Sequence, residues 1–227
     1  MKRYAGRIAF YRQERNLGHW SNLNTALQRS RGELVHVLHG DDAVRDGFYA
    51  RLEDAFADAS VGAAFCRFIA IDDAGNWLTV AALETEHDGV IDDWLDRIAV
   101  GQRVQAPAMV VRRSVYETLG GFDRRAGDAE DWEMWTRVAG HTRVYHVVEP
   151  LALYRLRSSS LSRGTLRTGE HVDNLRSVAE LNREIFPPER RDALAREARE
   201  TIALTAIKRA RRYLGAGDAP AARAQLR

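Results

Sequence analysis

Lysine is nearly missing from this chain. It stands only at positions 2 and 208, so arginine supplies almost all of the 34 basic side chains. The bias reads as genome composition, but the scarcity has a chemical consequence. A phosphate loop of the form G-x-x-x-x-G-K-[ST] needs a lysine, and no such segment occurs. This argues against a nucleotidyltransferase or phosphohydrolase built on that loop. Cysteine is scarcer still. Cys66 is the only one, which excludes an internal disulfide framework and a cysteine zinc site. Its setting, GAAFCRF, reads as a buried, inert thiol. Long apolar runs are absent as well, and nothing approaches the ~18 residues of a membrane span. The N-terminal MKRYAGRIAFYRQERN carries charges throughout and is no signal peptide, so a cytoplasmic location is the default. Charge of one sign is also lacking. A net +2 over 227 residues gives no sign of a nucleic-acid partner.

What is present is ordinary for a globular protein: 45% hydrophobic and 29% charged residues, enough for one good core and a small appendage. Up to about residue 155 strands and helices alternate, which gives an α/β layer sheet, parallel first and mixed later. Strands are expected at Arg7–Tyr11, Glu33–Leu38, Val61–Ile71, Ala108–Arg112, Val144–Val148 and Ala152–Arg155. The strand 33–38 is nearly all apolar, as if covered on both faces. Helices are expected from Ser21 to Gly32, over 47–59 and 90–100, from Ser114, and over 128–140 with an acidic first turn. Asp72–Gly75 reads as a turn between two strands. From about residue 168 the pattern becomes helical, over 170–185, 188–214 and 218–227, with Pro187–Pro188 and Gly215–Gly217 as breaks. This tail reads as a helical extension packed on the core or on another subunit, with a partner-binding surface as the alternative.

One stretch raises a chemical question. In LVHVLHGDDAVRDG, residues 34–47, an apolar strand ends in Gly40 and two adjacent carboxylates, Asp41 and Asp42. Open α/β sheets bind ligands beyond the carboxyl ends of their strands. Two neighbouring carboxylates stay ionised only beside a cation or donors. A hard ion such as Mg²⁺ or Mn²⁺ takes one or two carboxylates and completes its shell with water and phosphate oxygens. A metal–phosphate ligand is one reading; a polar turn capping the next helix is the other.

Three segments, taken together, resemble the family 2 glycosyltransferases. They are RQERNLGHWSNLNTALQRSRGELVHVLHGDD (12–42), PAMVVRRSVYETLGGFDRRAGDAEDWEMWTRVA (107–139) and EPLALYRLRSSSLS (149–162). The resemblance implies a GT-A-like, Rossmann-like mixed sheet and inverting transfer of a sugar from a nucleotide-diphospho-sugar donor to a hydroxyl. Asp42 then matches the ligand of Mg²⁺ or Mn²⁺, and Asp41 the neighbour that contacts the donor. Asp131 matches the general base, which the helix dipole would help keep ionised. Glu130 and Trp135 are expected toward the acceptor, with core packing the alternative for Trp132 and Trp135. Arg155 and Arg157 are expected to meet the diphosphate. His39 stands where many members have Asp and is not counted as a ligand. Ser158–Ser160 reads as a flap over the donor or a plain loop. The acceptor would be a glycan or a lipid-linked molecule, so peripheral membrane association is compatible, and cell-surface glycan synthesis is the expected setting.

Residues 1–167 form the transferase domain in this reading, and 168–227 a helical extension. Members of the family begin with two more strand–helix units, roughly 60 residues by the usual size of such units. The chain therefore reads as N-terminally truncated, with weak or no transfer expected of it alone. The alternative is a non-catalytic glycan- or partner-binding relative, which would be indifferent to Asp131→Asn.

Overall fold

The computed structural model describes residues 8–157 and 161–227, the side chains of 161–163 excepted. Its centre is the strand β3 (Val61–Ile71), eleven residues with a single charged side chain, Arg67. A strand this apolar is stable only when covered on both faces, and nine of its residues are buried. Gly62 is required for close approach. A side chain there would stand 2.2 Å from the Thr142 hydroxyl, just before the neighbouring strand begins.

That neighbour is β7 (Arg143–Arg155), which runs parallel to β3 from Val61↔Arg143 to Ile71↔Arg155. Two separate strands were expected here. They are one strand passing through Pro150, which lies opposite Arg67 where the ladder changes register. Proline has no N–H to give, so the pairing slips there rather than ending. The outer edge of β7 carries β5 (Gly89–Val90) and then β2 (Ala43–Val44), both antiparallel. The other edge of β3 carries β6 (Met109–Arg112) and then β4 (Trp77–Val80), also antiparallel. β1 (Leu34–His36) pairs with β6 and ends the order β1-β6-β3-β7-β2.

The sheet is thus mixed, as expected, but its order is not parallel first. Among the described pairings only β3–β7 is parallel. Nor is β1 covered on both faces: it lies at the end of the sheet and only Val35 is buried. Residues 8–11 form no strand; Ile8, Phe10 and Tyr11 are exposed without a strand partner, and Arg7 lies outside the described residues.

Helices cover the sheet. They are α1 (His19–Arg29), α2 (Phe48–Ala55), α3 (Trp94–Ala99), α4 (Arg113–Leu119) and α5 (Glu130–His141). Helix α1 begins two residues before the expected Ser21, because Gly18 turns the chain at φ 87°. Helix α5 follows a 3₁₀ segment, Arg124–Ala129, and buries Trp132, Met134, Trp135 and Val138. Each large apolar side chain so buried contributes about 1.5–3 kcal/mol.

The last stretch folds as α6 (Leu161–Thr168), α7 (Glu170–Asn182), α8 (Arg191–Gly215) and α9 (Ala219–Ala224). It does not stand apart. Val172, Leu175 and Val178 of α7 and Ile202 of α8 join the same buried cluster as the sheet. Inside it the Asn182 amide donates to the Thr136 hydroxyl of α5 at 3.1 Å. No helix among the described residues is long and apolar enough to cross a membrane.

Candidate functional site

Beyond β1 the chain turns at residues 39–42, where the Asp42 N–H donates to the His39 carbonyl. It then adds β2 to the C-terminal half of β7. That pairing brings the Asp pair against Arg155. The Arg155 backbone N–H donates to Asp42 Oδ1 at 2.8 Å. Its guanidinium donates from Nε to the Asp41 carbonyl at 2.8 Å and from Nη1 to the Asp72 carbonyl at 2.7 Å. Arg155 was expected to face a phosphate. Its bonds instead make it a clamp that fastens the Asp41–Asp42 loop to the β3–β4 turn, since two guanidinium nitrogens are engaged with backbone carbonyls. Arg157 lies near the same turn, exposed, 3.5 Å from Asp73 Oδ1. The expected flap, Ser158–Ser160, lies outside the described residues.

The second half of the site is the first turn of α5. Asp131 Oδ2 accepts from the Ala106 N–H at 2.9 Å, so the 3₁₀ turn Ala106–Ala108 sets its position. Glu130 Oε1 lies 2.7 Å from His19 Nε2. His39 meets His19 edge to face, ring centres 5.7 Å apart. Four buried polar atoms then have no partner within the protein: His39 Nε2, Asp42 Oδ2, Glu130 Oε2 and Asp131 Oδ1. Buried polar atoms are nearly always paired, so a cluster of exceptions needs a reason.

Electrostatics ties the halves together. Burial raises Asp131, the Glu130 charge beside it raises it further and Asp42 adds to this, while the Ala106 bond and His19 oppose. The helix dipole therefore does not decide its state; burial does. Burial likewise lifts Asp42 to about 6, against the Arg155 N–H bond, with Asp41 adding to the rise. Tyr154 on β7 is lifted to about 12, first by burial and then by the charges of Asp131, Asp42, Asp41 and Glu130. One tyrosine thus feels all four carboxylates. His39 is lowered by burial first and by His19 second, so it is a neutral ring at neutral pH.

Sequence reasoning singled out Asp41, Asp42, Glu130 and Asp131, and the fold brings them together. It missed His19 and Tyr154, whose relation to the site runs through contacts between distant segments. It misjudged Trp135, expected toward an acceptor. This ring is 1% exposed and packs edge to face on Phe122 in the core. The reason is helical phase: Trp132 and Trp135 share the inward face of α5, and Trp132 Nε1 donates to the Ile98 carbonyl. Cys66 is the inert thiol expected, pushed by burial up to about 12.

Among the described residues no group of three or more His, Cys, Asp and Glu side chains is arranged to hold a metal ion. The unpaired Asp42 oxygen nevertheless fits a hard cation that draws most of its shell from water and a phosphorylated ligand.

The family model "Glycosyl transferase family 2" matches residues 1–120. The chain is 26% identical over 164 residues to an uncharacterized glycosyltransferase of Methanocaldococcus jannaschii, covering 69% of this chain and 54% of that one. It is 24% identical over 181 residues to an uncharacterized protein of Mycobacterium tuberculosis, covering 71% and 54%. The chain thus spans about half the length of the curated relatives it matches. Among solved structures it is similar to S. aureus TarS residues 1–349 in complex with UDP-GlcNAc, with TM-score 0.70 and 14% identity over 88% of this chain and 58% of that one. It is also similar to the mannosyltransferase PcManGT of Pyrobaculum calidifontis in complex with GDP-Man and Mn²⁺, with TM-score 0.57 and 19% identity over 94% and 55%. At such identities these likenesses bear on fold, and they agree with the GT-A-like mixed sheet described above. With more than half of its length matched by the family model, the chain belongs to glycosyl transferase family 2.

Proposed function

We propose that this protein transfers a glycosyl group from a nucleotide-diphospho-sugar to a hydroxyl of a glycan or lipid-linked acceptor, with inversion, in cell-surface glycan synthesis. The single observation that carries the reading is the convergence of unpaired, buried Asp42 Oδ2, Glu130 Oε2 and Asp131 Oδ1 from two segments far apart in sequence. Membership in the family and the nucleotide sugars bound by TarS and PcManGT support the donor class.

Asp131 is the general base. Its free oxygen accepts the acceptor's proton as the acceptor oxygen attacks the anomeric carbon and the bond to the diphosphate breaks. A single displacement of this kind inverts the anomeric centre. A base raised by burial is also a stronger base, and one matched to neutral pH. Glu130 orients the acceptor hydroxyl. Asp42, with Asp41 beside it, would hold Mg²⁺ or Mn²⁺. Such an ion, when bound, offsets the charge of the departing nucleoside diphosphate. Arg157 faces the same charge from the end of β7, while Arg155 keeps the loop in place. Residues 1–167 carry this chemistry and 168–227 buttress α5.

The test is release of nucleoside diphosphate from UDP-GlcNAc and from GDP-mannose with Mn²⁺, on this chain and on Asp42→Asn and Asp131→Asn. Release lost in both variants, with folding intact, supports the reading. Calorimetry that detects neither sugar nucleotide binding to the protein sinks it. Binding that is indifferent to Asp131→Asn points instead to a non-catalytic relative.

A further inference from the structure

We propose that His19 is a positioning residue for the Glu130–Asp131 pair. The proposal rests on the glycosyl-transfer reading above and adds a residue to it that the motifs of the chain do not mark. His19 Nε2 and Glu130 Oε1 are 2.7 Å apart although 111 residues separate them in sequence. Glu130 is nearly buried, with 9% of its side chain exposed against 35% for His19.

The first turns of α1 are fastened to the segment that leads into α5. Gly18, at φ 87°, swings the chain into the helix, and its N–H donates to Asn16 Oδ1. The next residue is His19. Trp20 Nε1 then donates to the Gly127 carbonyl at 2.9 Å. Asn24 bonds Phe122 twice, donating to its carbonyl and accepting from its N–H. The His19 ring is therefore held by a fixed helix end, not by a wandering loop. That helix end grips the approach to Glu130 at three points, and His19 is the one that touches the carboxylate itself.

The consequence is directional. Glu130 has two oxygens. His19 takes Oε1, and Oε2 is left buried and unpaired beside the equally unpaired Asp131 Oδ1. Two adjacent carboxylates in a dry site repel each other. Without His19, Glu130 has no side-chain partner to fix its torsions. It is then free to rotate toward solvent, and the oxygen offered to an acceptor is lost. The titratable groups that face this arrangement are His39 and Asp41–Asp42 from the loop after β1, Glu130 and Asp131 from α5 itself, and Tyr154 from β7. His19 itself is raised by the carboxylate it holds. The Glu130 bond comes first, burial opposes it, and the Glu130 and Asp131 charges reinforce it.

The experiment has two arms on the full chain. In the first, histidine NMR titration follows His19 in the wild type and in Glu130→Gln, with His19→Gln assigning the signal. The proposal expects a midpoint above the ordinary histidine value that falls back in Glu130→Gln. A midpoint at the ordinary value in both overturns it. In the second, nucleoside diphosphate release from UDP-GlcNAc and GDP-mannose with Mn²⁺ is compared for wild type, Asp131→Asn, His19→Ala and His19→Gln. His19→Ala is expected to lower kcat by about tenfold or more with the donor KM within about twofold, the pattern of a lost transition-state contact. His19→Gln keeps an N–H donor and should recover much of the loss, which distinguishes positioning from failure to fold. His19→Ala as active as wild type, with Asp131→Asn dead, overturns this inference and leaves the transfer reading standing. A wild type inert toward both donors counts against the transfer reading instead, and the titration alone then decides whether His19 holds Glu130.

Discussion

Asp128 and Asp131 stand three positions apart at the entrance to α5, yet the fold treats them in opposite ways. Asp128 is saturated. It accepts from His171 Nδ1 and from Asn174 Nδ2, each at 2.9 Å, and from the Thr165 hydroxyl. Burial works to raise it, but the His171 bond and charge, with Thr165 and Asn174, hold it down to about 2. Asp131 is starved. It has one backbone donor, a buried carboxylate for a neighbour and one oxygen with no partner. A carboxylate given every donor it can use is a fastener, here joining α6 and α7 to the segment that leads into α5. A carboxylate denied them stores a demand that only a ligand or a proton can meet. Stability and reactivity are thus separated by less than one helical turn.

The comparison can be broken at either end, and the largest effect belongs to the starved member. Asp131→Asn should cost on the order of 10²–10⁴-fold in transfer rate while leaving the melting temperature unchanged or higher; a melting temperature that falls with the rate would make Asp131 structural. Asp128→Ala should do the reverse. It removes the acceptor that His171, Asn174 and Thr165 share and should cost about 2–4 kcal/mol by urea titration. Its pH signature follows from the sign of the shift. The folded value lies below that of the unfolded chain, so the stabilisation is full above pH 4 and is lost as pH falls from about 4 to about 2. Asp128→Asn should flatten that limb of the stability curve.

Trp135→Phe sharpens the contrast between core and cleft. It should cost about 1–2 kcal/mol as a core vacancy and leave the acceptor KM alone; a raised acceptor KM would return Trp135 to the site. The smallest effect on stability is expected at Asp42. Its folded value is raised, so its own contribution favours the fold most below pH 4 and is lost as pH rises from about 4 to about 6. Asp42→Asn should remove this slope and stabilise the chain at pH 7 by about 1 kcal/mol, discounted for a group that solvent partly reaches. A destabilised variant would mean that Asp42 Oδ1, through the Arg155 N–H, matters more to the fold than its unpaired oxygen does.

The placement of the acidic pairs was legible where it is written locally. The Asp41–Asp42 and Glu130–Asp131 pairs could be read because each lies within one short motif at an element end. β3 could be read to the residue because a run of eleven positions with one charge, Arg67, admits little else. What escaped was written between segments. His19 looks like any loop histidine until α1 docks on α5, and Tyr154 looks like any strand tyrosine until β2 joins β7. Arg155 was misread because a basic residue near an expected phosphate suggests contact, whereas carbonyls three segments away had the prior claim. Val144–Val148 and Ala152–Arg155 were read as two strands because an isolated strand offers no neighbour to absorb a register slip at Pro150. The sheet order was misjudged for the same reason, since direction of pairing is a property of two strands.

Among the described residues the lone parallel pairing, β3 with β7, has a consequence for the order of events in time. Its partners, Val61 with Arg143 through Ile71 with Arg155, lie more than a third of the chain apart, and parallel partners cannot be joined by a tight hairpin. Closing so long a loop is entropically unfavourable before any contact rewards it, so this pairing forms late and slowly. Arg155, at its far end, is the residue that fastens the Asp41–Asp42 loop. The acidic cleft is therefore completed only when this long-range pairing closes. Partly folded chains, whatever helices they have already formed, carry no assembled site, and the cleft arrives together with the finished sheet.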